Sequence, residues 1–503
     1  MGNLVHSLTL SRVLAVLTIA AVFAMAMRAP LDTDTLWHLR AGEWQVEHRA
    51  LLRVDLFSHT RYGEPWVNHS WLSQVALYGA YAALGDLGLA LYTAILATVG
   101  MAFVYRMLDA NAMVRAFVTV LAAAAAAVFW SARPQMMSFV LSAAVLSLLW
   151  QWRGGAARRL WLIPPLMTLW ANLHGGFAIG FILMVLALAG ELARWLFDGV
   201  LRGETAPDSP KTGLRPAGHL AAVGLVSAAA VSLNPYGPRL LFYPFRTVGI
   251  GALQDFIQEW ASPDFHQAQT WPFIWLLLGT LAVAGLSSRR LDWREALMVG
   301  GTAYGALLAA RNIATFAAVA APVLALHLQD WLDGLGLRLS LDRRPRGLLL
   351  AANWAIVVLA AAGAVAKSMA ALDADLIGQA RRESLPVDAV SHMQSAGAPG
   401  PLFNSYNWGG YLIWAARDYP VYVDGRTDLY DDELLAVYLE TAFAQPGWEA
   451  NLDAAGINTV LVETSSPLAR VLGLSAGWTL IYEDDLASLF VRDVPLTGGA
   501  GER

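Results

Sequence analysis

A polytopic α-helical membrane protein with about eleven transmembrane helices and a small C-terminal α/β domain is the fold class that this sequence predicts. Three observations predict it. The 503 residues are 57% hydrophobic and have a mean hydropathy of +0.47, more apolar than a soluble chain of this size can cover. Apolar runs recur at about 8 to 27, 87 to 108, 115 to 130, 136 to 152, 159 to 173, 175 to 197, 217 to 233, 271 to 287, 294 to 310, 312 to 329 and 347 to 367, each near the length that a helix needs to cross the hydrocarbon layer. Beyond residue 367 the runs shorten, and charged turns separate them. The formal net charge of -5 gives no basic surplus for nucleic acid. The absence of cysteine removes disulfides, thiolate metal sites and cysteine nucleophiles.

The first run ends in AMAMRAP, which resembles a signal-peptide cleavage site. A retained first helix is preferred, because the acids behind it otherwise lose their anchor. Residues 30–86 then form an outer loop with interfacial helices. Its last part, WLSQVALYGAYAALG (71–85), is apolar but short and carries Ser73 and Gln74, so it is read as a helix at the interface and not as a span.

Charge placement supports this frame. With the first helix running from inside to outside, one side receives Arg115, then Arg153, Arg158 and Arg159, then Arg202, Lys211 and Arg215, then Arg289, Arg290 and Arg294, then Arg338, Arg343, Arg344 and Arg346. That is the positive-inside pattern. The opposite side receives Asp32, Asp34, His38 and His69, then SARPQ (131–135), NLHGG (172–176), LNPYGP (233–238), EWASPDFH (259–266) and the pair Arg311 and Asn312. Short polar loops gathered at one face look like the walls of a cavity.

The transmembrane domain is therefore expected over 1–367 and a soluble domain, outside the membrane on the cavity's face, over 368–503. In the latter, VYVD and TVLVE read as buried strands, and DELLAVYLETAFA and WEANLDAAG as helices. VDGRTD (423–428) places Asp424 and Arg426 after a buried strand, where ion pairing or a capped turn is the plainer reading.

The densest chemistry is in residues 32–71, directly behind the first helix. Ionisable and aromatic side chains concentrated at such a boundary point to a site. Asp34 is the candidate acid, with Asp32 beside it; capping the helix that starts at LWHLRAGEW is the competing role, which Asp32 or Thr33 serve equally well.

An inside-to-outside first helix, an acidic pair at its outer end, an aromatic and histidine stretch, an outer loop and a soluble C-terminal domain together resemble the GT-C superfamily of polytopic glycosyltransferases. Within it the chain looks most like the protein O-mannosyltransferase and lipid A aminoarabinose transferase branch. DTLWH (34–38) stands where that branch has an acid, a Glu and two aromatics, with Thr35 in place of the Glu. GEW (42–44) resembles its Gly-acid-Trp, and SARPQ resembles its Arg-x-x-Pro-Asp, with Gln135 in place of the Asp.

The resemblance implies an enzyme that transfers a sugar, with inversion, from a polyprenyl-phosphate donor to an acceptor hydroxyl at the extracytoplasmic face. The acceptor class, whether glycan, lipid or protein, stays open. Such a displacement needs a carboxylate to take the hydroxyl proton, and Asp34 matches the family's acid. The departing lipid phosphate needs cationic stabilisation, for which Arg133 and Arg311 sit at span ends with the geometry that Arg offers phosphate; snorkelling to headgroups is the alternative. His38, His69, Asn172, His174, Glu259 and Asn312 are the other candidate substrate contacts. The residues fix no cofactor; Asp32, Asp34 and two histidines are a conceivable set for the divalent ion that some oligosaccharyltransferases of the superfamily use. No HxxxH or HxH spacing fixes such a site. A lipid-linked glycan transporter or a non-catalytic assembly protein is the reading from another class; a transporter is expected to hold its charges near the bilayer midplane.

Overall fold

A computed structural model describes residues 8–153, 155–201, 214–249, 251, 259–337, 341–342 and 345–496. Arg202, Lys211, Arg338, Arg343 and Arg344 of the basic set lie outside the described residues. The chain divides into two compact units: Met1–Arg28 with Ala90–Pro244 and Ile257–Ala370, and Ala29–Leu89 with Phe245–Phe256 and Ala371–Arg503. The outer loop, assigned to the membrane domain by sequence order, groups here with the C-terminal part of the chain.

The first unit is helical. Each apolar run forms a helix, and among the described residues seven helices are long and apolar enough to cross a membrane: Asp86–Met107, Ala112–Phe129, Gln135–Arg153, Gly175–Leu201, Ala268–Leu286, Ala310–Gly334 and Leu348–Ala371. The protein is thus a multi-pass membrane protein. The other four runs give the shorter helices Leu10–Ala26, Ile163–Leu173, Arg215–Val231 and Trp293–Leu308. At 1.5 Å per residue, even sixteen or seventeen residues reach only about 25 Å. Length therefore supports a crossing for seven helices, where the sequence suggested about eleven.

Small residues set the close helix pairs. A Cβ at Gly190 would lie 2.6 Å from the Arg294 Cα, and one at Gly301 would lie 2.6 Å from a Leu186 methyl. The helix Trp293–Leu308 starts with a capping box in which the Asp292 side chain accepts from the Glu295 N–H and Glu295 accepts from the Asp292 N–H. Two members of the basic set are ion-paired here. Arg153 bridges Asp292 and Glu295, at 2.5 Å each, and Arg294 pairs with the buried Glu191.

The second unit is built on a four-stranded sheet ordered β1-β2-β4-β3, with β1 Leu402–Asn404, β2 Thr459–Glu463, β3 Trp478–Glu483 and β4 Ala487–Arg492. β1 runs parallel to β2, and the other pairs are antiparallel. Strand alternation gives each face its own core. Leu402, Leu461 and Leu489 pack with Trp37, Leu52, Phe57, Trp66, Trp408 and Leu412. Phe403, Val460, Val462 and Phe490 pack with Tyr422, Tyr430, Tyr438 and Leu472. The outer loop thus supplies one face of the core.

Helices Asp432–Ala442 and Trp448–Ala454 and strand β2 fall where the sequence placed them. VYVD does not join the sheet. Val421 makes an isolated parallel bridge to Ser58, because the neighbour that this segment finds is the outer loop. His59 also contacts the Leu402 carbonyl at 3.0 Å, and Thr60 donates to the Tyr422 carbonyl at 2.7 Å.

Candidate functional site

In the second unit, α1 (Thr33–His48) carries the candidate acid on its first turn. Asp32 is its N-cap, and its side chain accepts from the Asp34 N–H at 3.0 Å. Capping is therefore the work of Asp32, and it is not what places Asp34. The half-buried Asp34 carboxylate accepts from the Trp37 indole N–H at 3.0 Å. The same oxygen, Oδ1, faces the turn Asp424–Gly425–Arg426, where a Cβ on Gly425 would lie 1.9 Å from it. The Tyr406 phenol stands close by. Burial pushes its pKa up, and the negative charge of Asp34 adds to that rise. Its hydroxyl is 2.7 Å from the Thr427 hydroxyl.

The turn itself is held by buried charges. The Arg426 guanidinium meets Asp424 through two nitrogens, at 2.8 and 2.7 Å, and Asp55 of the outer loop through a third, at 2.5 Å. Tyr430 donates to Asp424 at 2.6 Å. Asp55 also accepts from the Phe57 and Ser58 N–H groups and from the Ser58 hydroxyl. Burial works against the Asp55 charge, but Arg426 and these hydrogen bonds outweigh it and hold the carboxyl below the usual range. Ion pairing thus accounts for Asp424 and Arg426.

His38 is buried and stacks on Trp37, with ring centroids 3.5 Å apart. Its Nδ1 accepts from the Gln74 amide at 3.3 Å, which in the neutral ring puts the proton on Nε2. Gln74 in turn accepts from Gln45 at 3.0 Å and from Asn68 at 2.7 Å. The segment read as an interfacial helix, Trp71–Leu84, thereby anchors α1. His69 is half-buried, with Nδ1 2.8 Å from the Ser70 hydroxyl.

In the first unit, Arg133, Glu259 and Arg311 come together. Arg133 is 8% exposed and donates to Gln135 at 2.5 Å and to Glu259. Arg311 lies over the Trp260 ring at 4.2 Å, and its N–H donates to the Glu259 carbonyl at 3.1 Å. Burial disfavours the Glu259 charge, yet the two guanidiniums hold its carboxyl below the usual range.

The remaining candidates are engaged elsewhere in that unit. The Asn312 amide donates to the Gly305 carbonyl at 2.9 Å. Asn172 donates to the Thr168 and Leu233 carbonyls, both at 2.9 Å, closing the helix end onto a turn. His174 Nδ1 accepts from the Gly176 N–H at 3.1 Å and meets the Ser138 hydroxyl at 2.7 Å.

Among the described residues, no three His, Asp or Glu side chains converge as a metal site would need. Asp32 is occupied as a cap, and Asp34 and the His38 Nδ1 accept from Trp37 and Gln74. A cleft of about 1030 Å³ opens elsewhere in the second unit, lined by Leu36, Tyr81, Arg381, Tyr411 and Trp414 among others, and contains none of the candidate residues. Size therefore does not pick out the acid's surroundings. Gly425, Tyr406, Asp55 and Gln74 were not singled out by sequence as parts of the site. VDGRTD was the one signal that pointed toward them.

No protein-family model matches the sequence, and no curated protein does. Solved structures do match. The archaeal oligosaccharyltransferase AglB from Archaeoglobus fulgidus, in complex with an inhibitory peptide and a dolichol-phosphate, aligns at a TM-score of 0.55 and 13% identity, over 96% of this chain and 75% of that one. The Archaeoglobus fulgidus oligosaccharyltransferase tethered with an acceptor peptide containing the NVT sequon aligns at 0.50 and 14%, over 90% and 69%. ArnT from Cupriavidus metallidurans bound to undecaprenyl phosphate gives 0.48 and 12%, over 98% of each chain. The fold likeness rests on the two oligosaccharyltransferase matches. The chain has the fold of these oligosaccharyltransferases.

Proposed function

We propose that this protein is a membrane glycosyltransferase that moves a sugar from a polyprenyl-phosphate donor to an acceptor hydroxyl at the extracytoplasmic face, with inversion, and that Asp34 is its general base. One observation carries the reading. Asp34 occupies a helix start where a second acid already caps, and one oxygen of its carboxylate, Oδ1, accepts an indole N–H and packs against a glycine. A carboxylate so oriented is suited to accept the acceptor hydroxyl's proton as the oxygen attacks the anomeric carbon. Arg133 and Arg311 are assigned to the donor phosphate, whose growing charge they offset as the lipid leaves. Glu259 keeps their side chains apart from bulk anions until the donor binds. His38 and His69 are assigned to substrate contact, and the C-terminal part of the chain to the extracytoplasmic side.

The test is transfer by the purified full chain in nanodiscs, with a panel of radiolabelled polyprenyl-phosphate sugars, crude membrane acceptors and Asp34→Asn beside the wild type. The expected result is turnover by the wild type and a loss of about 10²- to 10⁴-fold in the folded variant, the usual contribution of a general base. Undiminished transfer by Asp34→Asn would move the base elsewhere, to Asp32 first. Donor binding without consumption by the wild type would favour a transporter or an assembly protein.

A further inference from the structure

The contacts of Asp34 extend beyond its own helix. A Cβ on Gly410 would lie 2.3 Å from the Thr33 carbonyl oxygen and 3.2 Å from Trp37 Cδ1, and one on Gly409 would lie 2.4 Å from the Val423 carbonyl oxygen and 2.6 Å from the Asp424 Cα. Gly425 then meets the Asp34 carboxylate itself. Three backbone segments that are far apart in sequence are thus in direct contact: the start of α1, the start of the helix Gly409–Ala415, and the turn 423–425. At each junction only glycine fits. The turn has no slack of its own, because Arg426 is fully buried between Asp424 and Asp55.

We propose that the Gly409–Gly410 step and the Asp424–Gly425–Arg426 turn are a positioning device for Asp34, so that the C-terminal segment is part of the reaction centre and not an accessory binding domain. The proposal rests on the reading of Asp34 as the base. The Asp34 Oδ1 accepts the Trp37 N–H and packs against Gly425. Filling the second space forces the acid to another rotamer and breaks the first contact. Tyr406 braces the same turn through the 2.7 Å contact between its hydroxyl and that of Thr427. None of these groups needs to touch the substrate for the device to work.

The experiment compares Gly425→Ala, Tyr406→Phe and Thr427→Val with Asp34→Asn, as the full chain in nanodiscs with the donor that the wild type consumes. Gly425→Ala is expected to lower kcat at least tenfold while the donor KM changes less than threefold, and to move the acidic limb of the pH–rate profile upward as the Trp37 N–H is lost to the carboxylate. A merely structural defect lowers the active fraction and leaves that limb in place. Should Gly425→Ala fail to fold, Tyr406→Phe and Thr427→Val each keep the packing and are expected to lower kcat, with the double variant no worse than either alone.

Wild-type kcat and an unmoved profile in folded Gly425→Ala, or in both bracing variants, would overturn the proposal while leaving the base assignment intact. Full activity in Asp34→Asn would sink the base assignment and the device with it. So would a wild type that consumes no donor.

Discussion

Replacing Arg426 by methionine tests the energetics of the turn, because methionine is close in bulk and carries no charge. In the wild type, Arg426 and both of its carboxylate partners are fully buried. Removing the cation leaves Asp55 and Asp424 as uncompensated charges in the interior, and breaking a buried pair in this way costs about 3–5 kcal/mol. The pH dependence has a definite sign. With Arg426 present, the Asp55 pKa is lowered in the folded state, so its contribution is present above the unfolded value of about 3.9 and lost as pH falls below it. Between pH 7 and pH 5 this carboxylate therefore changes nothing. Without the guanidinium, burial is the dominant influence and raises the folded pKa, so stability recovers as pH falls from 7 toward 5. Unfolding of the purified chain in detergent, followed by tryptophan fluorescence at both pH values, measures the cost and the slope. A loss below about 1 kcal/mol at pH 7, the range of an exposed ion pair, or a variant no more stable at pH 5 than at pH 7, would refute the reasoning.

Trp37→Phe removes the indole N–H that Asp34 accepts from at 3.0 Å; a hydrogen bond to a charged group contributes about 1.5–3 kcal/mol, so kcat should fall about tenfold or more in the transfer assay while the fold is kept. Gln74→Leu deprives Gln45 and Asn68 of their shared buried acceptor, at about 1–3 kcal/mol for each donor left unsatisfied, which the same unfolding measurement reads as a loss of stability. Glu259→Gln removes the anion that Arg133 and Arg311 share; undecaprenyl phosphate should bind the variant several-fold more tightly in a lipid-binding assay, whereas weaker binding would mean that the cluster is only structural.

Local rules read much of this protein from its sequence. Every apolar run became a helix, since hydrophobic length is a local property, whereas the cap was open between Asp34, Asp32 and Thr33 until the fold assigned it to Asp32. TVLVE and the two helices before it carried their own periodicity. Among the described residues, length and composition support a crossing for seven of the eleven runs, while Arg215–Val231 and Trp293–Leu308 form helices of 17 and 16 residues. VYVD was misread because its alternation fits a strand, and only the folded unit shows that Ser58, not the sheet, is its partner. The pair Asp55 and Arg426 lies 371 positions apart, and no spacing rule reaches that far. The same holds for Gly425, whose need to be glycine is fixed by a carboxylate near the other end of the chain.

The core shared between the outer loop and the C-terminal segment has a consequence for synthesis. Trp37, Leu52, Phe57 and Trp66 are buried only with partners such as Met393, Trp408 and Leu489. The first and last segments of this unit are separated by the stretch from Leu89 to Ala371, which a ribosome extending by about 5–20 residues per second needs roughly 15–55 s to produce. For that interval the loop has emerged with its aromatic face uncovered and no partner yet made. This unit therefore closes last, when its final strand arrives.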